Sequence, residues 1–221
     1  MSRTSRWTTV LVTALITGTL VTGTAAPAQA AGYTARLQTA VADLPVAAET
    51  RTGYDRDLFP HWIDADGDRC NTRYETLIAE ATTAPRVTQP CALSGGRWHS
   101  PYDNATWTDP ADLDVDHVVA LAEAWDSGAR TWPAARRQSF ANDLGDDRTL
   151  AAVTDDVNQA KGDKDPTAWM PGYAPARCRY VTDWVAVKLR WRLTVDTAEK
   201  DALTGLAAGC PAVTVTVTRA Y

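Results

Sequence analysis

The sequence runs to 221 residues with 45% hydrophobic positions, 27 acidic and 22 basic side chains, and a formal net charge of −5. Apolar positions spread through the chain exclude a disordered polymer and a collagen-like fibre. The acidic balance also argues against gripping nucleic acid by bulk electrostatics, so a polyanionic substrate would have to be met by a few placed cations or a bound metal ion.

Residues 1–30 open with Arg3 and Arg6, continue through an apolar stretch and close on Ala28-Gln29-Ala30, the order of parts in a secretory signal peptide. Thr8, Thr9, Thr13, Thr17 and Gly18 interrupt the apolar stretch, and no later run approaches the ~20 apolar residues of a membrane span. The mature chain is therefore expected to begin near Ala31, to be secreted and to lack a membrane anchor. Losing two arginines and no acid takes its charge to −7.

Leu37, Ala40, Val41 and Leu44 have helical spacing over 35–44, and Leu77 and Ile78 mark a second short helix over 72–81. Trp98, Tyr102 and Trp107 surround Asp103-Asn104, which reads as two short strands joined by a turn. A strand is expected over 113–119, then helices over 120–126 and 133–144, with Gly128 and Gly145 as their stops. A second strand over 149–154 leads into a helix that starts at Asp155-Asp156 and carries Asn158 and Lys161. Val181, Trp184, Val185 and Leu189 line one stripe of a helix over 179–193. Asp196 and Glu199 have capping-box spacing for a last helix closed by Gly209, and Val213, Val215 and Val217 alternate with threonines in a terminal strand. No repeat or low-complexity linker divides 31–221, so a single α+β domain is expected.

Four cysteines, Cys70, Cys91, Cys178 and Cys210, would meet an oxidising exterior. Three pairings exist; Cys70 with Cys91 and Cys178 with Cys210 is favoured because each pair brackets one local segment. No Cys-x-x-Cys or His-x-x-x-His spacing supports zinc.

Only three histidines are present, so a base working near neutral pH has few candidates. His117 stands out: Asp116 precedes it, an apolar strand surrounds it, and Asn158-Gln159-Ala160-Lys161 follows the next strand. This order resembles the HNH, or His-Me finger, nuclease pattern. The wider spelling resembles secreted bacterial HNH endonucleases related to the C-terminal part of GmrSD restriction enzymes, through 113–125 (LDVDHVVALAEAW), 140–144 (FANDL), 158–166 (NQAKGDKDP), Trp169 and the upstream 62–77 (WIDADGDRCNTRYETL). The resemblance implies a ββα-metal core with additional helices and two disulfides. It implies His117 as general base, and Asp116 and Asn158 as ligands of a divalent metal, Mg²⁺ or alternatively Mn²⁺. Such a site hydrolyses a phosphodiester by removing a proton from water while positive charge stabilises the leaving oxygen.

Adjacent strand residues point to opposite faces, so a bend or loop is expected at Asp116 and His117, with Asp114 as an alternative ligand. Lys161 and Arg73 are candidates for phosphate contacts. Where the family places an asparagine to orient the base, this chain has Arg148-Thr149-Leu150; Asn142, Asp143 and Glu123 are the alternatives. Asp64, Asp66 and Asp68 with Glu75 partly follow calcium-loop spacing, though Arg69 stands where glycine is needed. The resemblance implies DNA as substrate, cut with little sequence specificity to leave a 5′-phosphate, and a monomer is expected. The rival readings are a ribonuclease or sugar-nonspecific nuclease, and a non-catalytic, secreted calcium-binding module.

Overall fold

The computed structural model describes residue 1 and residues 32–220. The leader expected over 1–30 therefore lies outside the described residues, apart from Met1. In chain order the elements are β1 (Gly32–Arg36), α1 (Leu37–Asp43), α2 (Thr72–Ala79), β2 (Arg86–Thr88), β3 (Ala92–Ser94), β4 (Trp98–His99), β5 (Thr106–Trp107), β6 (Leu113–His117), α3 (Leu121–Asp126), α4 (Ala134–Ala141), β7 (Leu150–Thr154), α5 (Asp155–Lys161), α6 (Arg177–Trp191), α7 (Thr197–Ala208) and β8 (Thr214–Thr218). Their strands form antiparallel pairs β1–β8, β2–β3, β4–β5 and β6–β7. The fold is thus mixed α and β with small sheets, and the two disulfides join Cys70 to Cys91 and Cys178 to Cys210, the favoured pairing. Among the described residues no helix is long and apolar enough to cross a membrane.

Two apolar clusters meet at the β6–β7 pair. Leu113 and Val115 of β6, with Leu150 and Ala152 of β7, pack beside Leu77 of α2 and Trp98. Ala151 and Val153 take the alternate positions of β7 and join the larger cluster, which contains Trp184, Tyr180, Phe140 and Phe59. The two-residue period of a strand assigns each set to its side. On β6 the positions alternating with Leu113 and Val115 are Asp114 and Asp116, and these turn toward α5.

Several element bounds differ from the sequence expectation. The first helix starts at Leu37 because 32–36 is drawn into β1 by pairing with β8, Tyr33 opposite Val217. The fourth helix ends at Ala141 rather than near Leu144. Asn142 leaves helical geometry to accept from the Ile63 amide and the Thr72 hydroxyl and to donate to the Pro60 carbonyl. Asp143 turns inward to Arg190. The β2–β3 hairpin has no counterpart in the sequence reading, since its three-residue strands expose most of their side chains and so leave no burial period.

Candidate functional site

Pairing of β6 with β7 is regular through Asp116 opposite Ala151 and His117 opposite Leu150. The expected bend is absent. β6 pairs with one strand only, and its Leu113 and His117 carbonyls accept from the side chains of Arg73 and Lys161. Asp116, His117 and Asn158 line one open cleft of about 410 Å³, together with Tyr54, Arg56 and Asp163.

His117 is buried to 6% exposure, and its Nε2 lies 2.8 Å from the carbonyl oxygen of Ala141. A carbonyl only accepts, so Nε2 carries the proton and Nδ1 keeps its lone pair. Among the described residues no hydrogen-bond partner to Nδ1 is found. Trp62 stacks on the imidazole with ring centroids 5.2 Å apart and 27° between planes. It does so from a left-handed backbone, φ 56°, a strained conformation for a bulky side chain. His61 meets the same ring edge-on at 6.3 Å. Burial depresses the His117 imidazole to about 3, against the bond to Ala141, and the charges of Arg56, His61 and Lys161 push in the same direction as burial. The ring is therefore neutral around pH 7.

Asp116 is 4% exposed; its Oδ1 accepts from the Lys161 ammonium at 2.8 Å and its Oδ2 from the Tyr102 hydroxyl at 2.7 Å. Burial raises the carboxyl from its ordinary value, while Lys161 and Tyr102 oppose that. One step along the strand, Asp114 Oδ2 accepts from Asn158 Nδ2 at 3.1 Å. Two strand positions on one face thus meet two helix positions on one face, Asp114 with Asn158 and Asp116 with Lys161. Because the amide nitrogen is committed to Asp114, Oδ1 is the Asn158 atom left to accept or ligate. Carboxylate and amide oxygens are the hard donors that Mg²⁺ or Mn²⁺ takes; Asn158 Oδ1 suits such an ion, while each Asp116 oxygen already accepts one hydrogen bond and offers its second lone pair.

Other expected site residues lie elsewhere or are already engaged. Lys161 is fully buried and also donates to the His117 carbonyl at 3.1 Å, so it is an internal counter-ion of Asp116 and does not face a phosphate. Arg73 donates to the Leu113 carbonyl and lines a separate hollow with Asp109 and Pro110. None of the three alternative orienters hydrogen-bonds the His117 ring. Asn142 stitches helix end to loop, as described above. Asp143 is held by Arg190, Trp191 and Thr149. Glu123 belongs to a buried group around Lys188, with Glu199 and Ser127. The ring's partner is instead a backbone oxygen, which no residue type announces. Trp62 stood at the head of a matching segment, and Arg56 carried no signal in sequence.

Asp64, Asp66 and Asp68 gather carboxylate oxygens within 4.8 Å of one another. They accept the amides of Gly67, Arg69, Asp68 and Cys70. Arg69 adopts the glycine-like backbone its position requires, φ 81°. Glu75 is not within that group; one of its oxygens is buried with no hydrogen-bond partner among the described residues, and burial together with the three aspartates raises its carboxyl.

The family model for GmrSD restriction endonucleases, C-terminal domain, matches residues 68–206. The chain belongs to this family. The part matching the GmrSD C-terminal domain contains Asp116, His117, Asn158 and Lys161, whereas Arg56 and Trp62 precede it. Membership in the GmrSD family points to nuclease-type hydrolysis. An uncharacterized secreted protein of Arthroderma benhamiae is 51% identical over 158 residues, spanning 72% of this chain and 76% of its own length. No solved structure matches.

Proposed function

We propose that the protein is a secreted, metal-dependent endonuclease of the HNH type that hydrolyses phosphodiester bonds in DNA. The observation that carries this reading is the convergence of Asp116, His117 and Asn158 on one cleft, in a family of restriction-endonuclease domains. The strand–strand–helix order of β6, β7 and α5 supports a ββα core.

In this reading the Ala141 carbonyl fixes the His117 tautomer, and Nδ1 takes a proton from the water that attacks phosphorus. The water oxygen bonds to phosphorus as the bond from phosphorus to the 3′ oxygen breaks; that oxygen takes a proton from solvent, and the products are a 5′-phosphate and a 3′-hydroxyl. An anionic phosphate alongside the ring favours imidazolium, which counteracts the depression caused by burial as substrate enters. Asp116 and Asn158 Oδ1 would hold Mg²⁺ or Mn²⁺, whose charge stabilises the developing oxyanion. Lys161 keeps the Asp116 carboxylate in place, and Asp114 does the same for the Asn158 amide.

Plasmid nicking tests the reading. The mature protein should nick DNA with Mg²⁺ or Mn²⁺ and stop with chelator. His117→Ala should cut activity by about 10²–10⁴-fold while retaining the parent's circular dichroism. Intact plasmid with every metal, or full activity in His117→Ala, would refute it.

A further inference from the structure

A chain of net charge −5 that works on a polyanion needs positive charge at the point of contact, and most cations near the cleft are already spent. Lys161 is buried against Asp116. Arg51 is shared between Asp126 and Asp163, the latter on the cleft wall. Arg56 is different. It is exposed, it lines the same cleft as His117 and Asn158, and among the described residues it makes no ion pair.

Its guanidinium lies near Tyr54, a neutral neighbour that does not cancel its charge. Asp116 is paired with Lys161, and Asp163 shares Arg51 with Asp126; among the described residues lining the cleft, Arg56 is the one lysine or arginine. Its backbone is anchored. Asp55 caps the short turn Arg56–Leu58 by accepting the Asp57 amide at 2.9 Å. Phe59, fully buried just beyond, packs edge-on against Trp125 and Phe140.

We propose that Arg56 is the phosphate-binding residue of the cleft, its planar guanidinium taking two oxygens of a nucleic-acid backbone phosphate beside the His117 imidazole. This rests on the nuclease reading and supplies the local cation that reading requires.

The test uses the inactive His117→Ala protein in chelator and a short fluorescein-labelled DNA duplex, with binding followed by anisotropy across a salt series. Arg56→Ala should weaken binding and reduce the slope of log affinity against log salt by about one. Arg56→Lys should keep the slope while binding less tightly. Arg86→Ala, which removes an exposed charge from β2, should change neither. An unchanged slope in Arg56→Ala, an equal loss in Arg86→Ala, or no binding by the Arg56-bearing protein overturns the proposal. Failure of the nuclease reading is separate. A His117 protein that leaves plasmid intact with metal, while Arg56→Ala still lowers the slope, removes hydrolysis and leaves the phosphate contact standing.

Discussion

Asp116 and His117 are adjacent in the chain and are supported from opposite sides of one strand. Asp116 faces α5 and a buried ammonium; His117 faces the end of α4, where the Ala141 carbonyl receives its Nε2 proton. Asn158 shows how much a single hydrogen bond decides. With its amide nitrogen given to Asp114, its oxygen is free for a cation. Asn158→Ala should therefore raise the Mn²⁺ concentration for half-maximal nicking by at least about tenfold. Direct Mn²⁺ binding by electron paramagnetic resonance should weaken in parallel, and unchanged binding would remove Asn158 from the ligand set. At this scale, the residue types and order of Asp116, His117 and Asn158 marked them in the sequence as candidates, and the structure brings them to one cleft. The partner of the His117 ring could not be read in the same way, since a backbone carbonyl leaves no trace in residue identity. Asp143 and Glu123 misled for a related reason: a buried acid serves equally well as a partner for Arg190 or Lys188, and local sequence does not say which.

Elements hold the site through polar contacts at their ends. Glu80 follows α2, and its Oε2 accepts the Ala152 amide of β7 at 2.8 Å. Burial lifts its carboxyl from 4.5 to about 7, against the Ala152 bond and Arg179. A raised carboxyl binds its proton more tightly in the folded than in the unfolded chain. Its stabilising contribution is therefore complete below about 4.5 and is lost as pH rises through about 7. Glu80→Gln keeps an accepting oxygen without the charge. It should unfold at higher urea than the parent at about pH 8 and at similar urea at about pH 4; a gain confined to low pH would contradict this. The central elements β6, β7 and α5 were legible from alternation followed by a helix start. β1 was not, because Gly-Tyr-Thr-Ala-Arg becomes a strand only through its distant partner β8. The early stop of α4 was hidden too, since Asn142 and Asp143 find their partners in tertiary structure.

Across the whole molecule, the larger core joins α1, α6 and α7 to the aromatic group of Trp132, Phe140 and Trp191. Cys178 near the start of α6 is tied to Cys210 just beyond α7, with Cα atoms 5.5 Å apart. Replacing both by serine should cost about 2–5 kcal/mol, read as a lower urea midpoint. An unchanged midpoint would mean that helix packing alone holds α7 in place. The local bracketing that suggested this pairing worked because both bridges close short loops. β1 and β8, in contrast, close the longest loop among the described residues: Gly32 sits opposite Thr218, and neither strand contributes a wall to the cleft. Joining residues 32 and 220 covalently across that seam would close the folded region into a ring, with the cleft walls untouched.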